Sequence, residues 1–368
     1  MNAAEQSYCP SSILVVITRR IGDVLLTTPV IRALRRAWPD AKIDALVFAG
    51  TEGVLESNPD LNEIITVVQR PTIRQHFNFI LRIWHNYDLG ISMMPSDRPT
   101  LYAYLSGKQR IGLISAGNKH WWKRILLSKY ELFDNINTHS VLMNLALVDL
   151  LGVPRCHEVV IDWKVENEKK VRAVLPFDPE SHPYVVLHIY PMYAYKAWRR
   201  EGWIELAEWL HSQGMKVVLT GGKDKDEIAY VNKLKGLLPH EIVDLSGKLN
   251  LASVAYLLSK ARAYVGPDTV VSHLAAATGT PTVALFGPSN PVKWGPWPRG
   301  YNKDSNPYKM KGTQRVKNVV VLQGEGDCVP CMEEGCEHHV ASFSDCLQNL
   351  SANSVIDSLR DLLNKPIY

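Results

Sequence analysis

The chain has 368 residues, 46% of them hydrophobic and 21% charged, and its 41 Lys and Arg against 37 Asp and Glu leave a formal net charge of only +4. Such a length accommodates two buried cores. Residues 1–10 are polar, and no apolar run approaches the roughly eighteen residues of a membrane span, so the sequence predicts a soluble, cytoplasmic protein whose membrane contact is peripheral.

The first element is a continuous apolar, β-branched run over residues 13–17, the pattern of a strand buried in a parallel sheet. Gly22 then permits a sharp turn, and Val24, Leu25, Ile31, Leu34 and Ala37 recur at helical spacing. Asp23 is thereby placed at the strand-to-helix corner, where open α/β sheets bind their ligands. Further strands are predicted over 43–48, 64–68, 88–93 and 109–112, with helical patterns between them and a long helix over 139–151. This alternation predicts a doubly wound parallel sheet in a first domain, residues 1–155. Residues 156–183 read as a short strand, a helix and a linker. A second alternation follows, with strands over 184–189, 216–220, 242–245, 263–265 and 282–286 in a second domain, residues 184–350. An amphipathic helix over 354–363 occupies the last stretch, 351–368.

The small charge excess lies in the first half, where residues 1–155 hold 17 Lys and Arg against 13 Asp and Glu. Residues 98–129 contain Arg98, Lys108, Arg110, Lys119, Lys123, Arg124 and Lys129 without an acid, interleaved with Tyr102, Tyr104, Trp121 and Trp122. Residues 64–87 add Arg70, Arg74 and Arg82, again without an acid. Such a field suits a polyanion or an anionic membrane surface, with Trp121 and Trp122 as interfacial anchors. No nucleic-acid module signature accompanies it, so no nucleic-acid partner is expected.

Chemistry concentrates in the second half. The run ending at Val265 stops at Gly266-Pro267, Asp268 or Thr269 stands where a helix N-cap is wanted, and a small-residue helix through Val270 and His273 closes at Gly279. Free N–H groups at the start of that helix make a seat for a diphosphate. Gly221-Gly222 follows the strand over 216–220 and admits a nucleoside to the backbone, with Asp226 or Glu227 placed to accept from ribose hydroxyls. No G-x-G-x-x-G follows a strand, which argues against an NAD enzyme. Asp224-Lys-Asp226 spells the D-x-D of metal-dependent glycosyltransferases, yet its place at a helix start reads as a solvated turn. Lys196, in the loop after the strand over 184–189, is the lysine best placed to neutralise a diphosphate.

The residues Arg20-Ile-Gly-Asp-Val-Leu-Leu-Thr-Thr-Pro29, Arg110-Ile-Gly112, His139, Lys196-Ala-Trp198, Asp268-Thr-Val-Val-Ser-His273 and Phe286-Gly-Pro-Ser-Asn-Pro291 resemble those of glycosyltransferase family 9. Its bacterial heptosyltransferases add heptose to the inner core of lipopolysaccharide. The resemblance runs from about residue 13 to about residue 360. It implies an α/β protein of GT-B class, with two Rossmann-like, doubly wound parallel-sheet domains facing across a cleft and the final helix packing back on the first domain. It further implies inverting, metal-independent transfer from ADP-heptose to a Kdo-lipid A or heptosylated core acceptor. Asp23 would be the general base and Lys196 the second catalytic residue. Gly221, Gly222, Glu227, Asp268, Thr269, Val270 and His273 would bind the donor, and Arg70, Arg74, Arg110 and Arg124 the acceptor, at the cytoplasmic face of the inner membrane.

Cys328, Cys331, Cys336 and Cys346 have spacing suggestive of a structural metal, although the last intervals are irregular. Some autotransporter heptosyltransferases related to the family hold iron on four cysteines. Metal here would favour a protein acceptor, the alternative to lipopolysaccharide; a noncatalytic nucleotide-binding module is the alternative of another class.

Overall fold

The computed structural model describes residues 8–238 and 242–364 of the chain, which divide into two compact units. The first comprises the chain through Asn135 together with Ser140–Val160; the second comprises Ile136–His139 and the chain from Ile161 onward.

The first unit is a six-stranded sheet of β1 (Ser12–Ile17), β2 (Lys42–Phe48), β3 (Glu63–Val67), β4 (Tyr87–Ser92), β5 (Gly107–Ile114) and β6 (Lys129–Leu132). Their order is β3-β2-β1-β4-β5-β6, every pair parallel. Ile13 to Ile17 are wholly buried, as a central strand covered on both faces requires. The helices are α1 (Ile21–Leu25), α2 (Thr28–Ala37), α3 (Ile73–Ile83), α4 (Asp97–Ser106), α5 (Trp121–Leu126) and α6 (Ser140–Asp149). The single helix expected from Val24 is thus two, parted at Leu26-Thr27 just before Pro29, which suits only a helix's first turn. Right-handed crossovers place α3, α4 and α5 on one face of the sheet, with α3 packed on α4 and α4 on α5. The strand order reverses between β1 and β4, so this sheet's ligand crevice belongs at their carboxyl ends.

The second unit is a seven-stranded sheet of β7 (Tyr184–His188), β8 (Lys216–Thr220), β9 (Val243–Asp244), β10 (Ala263–Pro267), β11 (Thr282–Phe286), β12 (Gln314–Val316) and β13 (Val319–Gln323). The order is β12-β13-β11-β10-β7-β8-β9, parallel except for the β12–β13 pair. Here the reversal falls between β7 and β10. Around the sheet stand α7 (Val165–Val174), α8 (Arg200–Ser212), α9 (Lys225–Lys235), α10 (Leu251–Lys260), α11 (Val270–Thr278), α12 (Pro291–Trp294), α13 (Asp345–Gln348) and α14 (Ala352–Asn364).

Within residues 156–183 the expected helix is α7, which packs on α10, with Asn167 Nδ2 3.2 Å from both Asn250 Oδ1 and Ser253 Oγ, and Trp163 lies edge-on to Tyr256. The short strand expected there is absent among the described residues. The final helix lies in the second unit, where Val355, Ile356, Leu359 and Leu362 of α14 pack with Trp198, Trp203 and Leu206 in its core. Residues 365–368 of that stretch lie outside the described residues.

Candidate functional site

The second unit gathers its polar residues at the carboxyl ends of β10, β7 and β8, where the strand order reverses. After β10 the chain extends through Thr269, the N-cap of α11, and Gly279 ends that helix in the left-handed conformation at φ 85°. Ser272 Oγ donates to the Pro267 carbonyl at 2.5 Å and lies 3.0 Å from the Tyr264 hydroxyl, which fastens the first turn of α11 to its strand. Thr269 makes no side-chain cap bond, so the helix opens on its backbone N–H groups.

Lys196, after β7, reaches this helix start. Its Nζ lies 2.5 Å from Asp268 Oδ2 and donates to the Asp268 carbonyl at 3.4 Å, above the ring of Tyr195. The sequence names both residues but not their pairing, since 72 positions separate them. Burial alone would raise the Asp268 carboxyl, but the ammonium of Lys196, with His273 and the Ser289 hydroxyl, holds it below its ordinary value. Asp268 is therefore an ionised group that fixes the direction of a cation, and Lys196 remains partly open to solvent.

His273 is buried one turn into α11, and its Nδ1 has no hydrogen-bond partner among the described residues. Burial lowers its pKa to about 4, against the pull of Asp268 and with help from Lys196. His139 is buried too. Its Nε2 donates to the Gly295 carbonyl at 2.8 Å and its backbone N–H to Asn306 Oδ1 at 2.9 Å, which ties Ile136–His139 to the second unit. Burial carries His139 down to about 3, with His273 and Lys293 adding to the effect. Lys293, buried on α12, and Ser289 are residues that sequence reasoning missed; the signal lay in the Phe286-Gly-Pro-Ser-Asn-Pro291 segment, whose Asn290 caps α12 and donates to the Ile136 carbonyl at 2.8 Å.

At the end of β8, Gly221 is required by close approach: a Cβ there would stand 2.8 Å from Ser246 Oγ and 2.9 Å from Glu227 Oε1. Both atoms are buried without a partner among the described residues. Burial pushes the Glu227 carboxyl up, opposed by a hydrogen bond from the Gly222 N–H. Orphaned polar atoms beside exposed glycine backbone fit a group rich in hydroxyls, such as a ribose. Asp224 accepts from the N–H groups of Asp226 and Glu227 and so caps α9, which accounts for the D-x-D spelling without a metal role.

In the first unit, Asp23 stands in the first turn of α1 at the carboxyl end of β1, largely buried and 3.7 Å from Arg19 Nε. The four arginines expected to bind an acceptor occupy two places. Arg70 and Arg74 are exposed at the start of α3. Arg110, on β5, donates to the Gly107 carbonyl at 3.0 Å and lies over Tyr104, while Arg124 is exposed on α5 near the Tyr130 ring. The acid-free basic field is partly answered by acids from elsewhere. Lys108 pairs with Asp88 at 2.9 Å, and Lys123 is wholly buried, paired with Asp97 at 2.8 Å and bonded to the Pro95 carbonyl, so it offers nothing to a partner.

Cys328, Cys331, Cys336 and Cys346 lie near one another. Cys346 is held up at about 11 by burial and by the neighbouring Cys331, Cys336 and Cys328 thiols, and all four are free. Among the described residues, no three His, Cys, Asp or Glu side chains are grouped to hold an ion.

The buried histidines set a pH dependence. Burial pushes His139 down to about 3 and His188 and His273 down to about 4, so as pH falls below the ordinary 6.5 the unfolded chain takes protons that the native chain refuses. Their contribution is present above pH 6.5 and lost on the way down to pH 4; Asp268, with a lowered pKa, adds a further loss in more acid solution. The melting temperature is expected to fall steadily from pH 7 to pH 4.5, and less steeply in His188→Gln. A melting temperature constant over that range contradicts this reading of the core.

Comparison with known proteins agrees with this arrangement. The model of glycosyltransferase family 9 (heptosyltransferase) matches residues 81–321. Lipopolysaccharide heptosyltransferase 3 of Escherichia coli K12 is 30% identical over 286 residues, which cover 75% of this chain and 82% of that protein. A family 9 glycosyltransferase from Veillonella parvula superposes with a TM-score of 0.77 at 22% identity, over 99% of each chain. The E. coli heptosyltransferase WaaC with ADP superposes with a TM-score of 0.71 at 20% identity, over 95% of this chain and 99% of that one. The fold is the expected GT-B fold of these proteins, and the chain belongs to glycosyltransferase family 9, the heptosyltransferases.

Proposed function

We propose that this chain transfers heptose from ADP-heptose to the inner core of lipopolysaccharide, with a Kdo-lipid A or heptosylated core as acceptor, at the cytoplasmic face of the inner membrane. The observation that carries the reading is the Lys196–Asp268 pair at the open start of α11, at the point where the strand order reverses. An ammonium aimed by a buried carboxylate, beside free backbone N–H groups, stabilises the charge that develops on a departing diphosphate. Gly221, Gly222 and Glu227 then receive the nucleoside, Thr269 and Val270 the phosphates, and His273 borders them. A relative of the same fold was solved with ADP, and the relative at 30% identity is, by name, a lipopolysaccharide heptosyltransferase.

In the reaction, Asp23 takes the proton of the acceptor hydroxyl, and the oxygen attacks the anomeric carbon opposite the leaving group. The bond from that carbon to the diphosphate oxygen breaks, and ADP departs with the electron pair. One displacement inverts the anomeric configuration. Because Lys196 and α11 supply the positive charge, no metal is assigned a step. The protein-acceptor alternative rests on metal at the cysteines, and among the described residues no three His, Cys, Asp or Glu side chains are grouped to hold an ion. The product linkage, read by NMR, is expected to be inverted relative to the donor, with turnover unchanged in EDTA. A retained configuration or strict metal dependence overturns this mechanism.

A further inference from the structure

The face of the first unit that carries α3, α4 and α5 holds apolar side chains that its core does not use. On α3, Phe79 and His76 turn toward Tyr102, at ring distances of 5.0 and 6.0 Å, and Ile83 is fully buried. Ile73, Phe77 and Leu81, with Trp84 just beyond the helix, are 92%, 60%, 57% and 50% exposed. At 3.6 residues per turn the three helical positions fall within an arc of about 80°, a flank separate from the buried one. Trp121 and Ile125, one turn apart on α5, are also exposed. A helix on a globular core ordinarily turns charge to solvent, and here that flank is hydrocarbon.

The charge around it selects the occupant. Residues 64–87 contain no acid, and Glu63, Asp88 and Asp97, which border the basic segments, engage Arg82, Lys108 and Lys123. Arg70, Arg74, Lys119 and Arg124 are exposed, the first two flanking Ile73 in sequence and the others flanking Trp121 and Ile125. A capping box between Thr72 and Gln75 fixes the start of α3, so the stripe is presented on a formed helix.

We propose that this face docks on an anionic bilayer, with the α3 stripe, Trp121 and Ile125 entering the boundary between headgroups and acyl chains while the four cations meet lipid phosphates. The proposal deepens the peripheral association proposed for the acceptor reaction and rests on that reading only for its purpose. A second copy of the chain would meet the same cations with the same sign of charge, which the lipid surface does not.

The test is sedimentation of the full chain with vesicles of phosphatidylcholine alone or mixed with phosphatidylglycerol, for the native protein and for a variant carrying Ile73→Ser, Phe77→Ser and Leu81→Ser. The native protein is expected to sediment with the anionic vesicles far more than with the neutral ones, and the triple variant at least about tenfold less. Its melting temperature, and its turnover on a deacylated core oligosaccharide, should match the native values. If the triple variant does not fold, Trp121→Ser with Ile125→Ser serves the same comparison. Equal sedimentation of variant and native protein overturns the proposal, as does a native protein that stays in the supernatant, or a variant whose only change is in oligomeric state. Absence of transfer to every acceptor would instead count against the heptosyltransferase reading and leave the vesicle result intact.

Discussion

Replacing Asp23 by Asn is expected to lower kcat by about 10²–10⁴, the worth of a general base, with ADP affinity nearly unchanged. Asn keeps the shape of the side chain and removes its capacity to take a proton. The competing account makes Asp23 a first-turn acid that complements the dipole of α1 and pairs with Arg19 at 3.7 Å. That role is worth about 0.3–1 kcal/mol of stability and nothing in the chemical step. The two accounts therefore differ in which quantity moves. A large loss of kcat at unaltered melting temperature identifies the base, and activity within a few-fold of the native enzyme removes Asp23 from the mechanism.

Lys196→Ala is expected to weaken ADP-heptose binding about 10- to 100-fold, the worth of a charge-assisted hydrogen bond to a diphosphate. It should also lower stability, because it strands the Asp268 carboxylate in a buried place; breaking such a pair costs about 3–5 kcal/mol. Removing the stranded charge as well, by Lys196→Ala with Asp268→Asn, should recover much of the stability and none of the affinity. Calorimetry of ADP binding and thermal melts on the single and double variants separate the two effects. Native ADP affinity in both variants would show that the pair is only structural.

The strands that frame the site were legible because a parallel strand buried on both faces is a continuous apolar run, as in β1, β7, β10 and β11. The edge strand β6 was missed, since Lys-Tyr-Glu-Leu is mostly exposed and carries no such run. β13 is just as apolar as β11, but it follows a long polar stretch whose one helix, the single turn α12, is too short to mark an alternation. Asp23, Lys196, Asp268 and His273 could be named because strand-helix corners are readable. That Lys196 grips Asp268 could not, because a contact between distant loops is set by the sheet order. The core that the last helix joins was not legible for the same reason: its amphipathic pattern specifies an apolar stripe and leaves its partner open. On α3 the periodicity announced a helix, yet with apolar residues on two flanks the pattern alone did not say which flank the core would take.

The most direct measurement of the central claim is the mass of lipopolysaccharide purified from a strain lacking this protein. The account predicts a core short of one heptose and of every sugar attached beyond it, restored by the native gene and not by one encoding Asp23→Asn. Lipopolysaccharide of unchanged mass would contradict it.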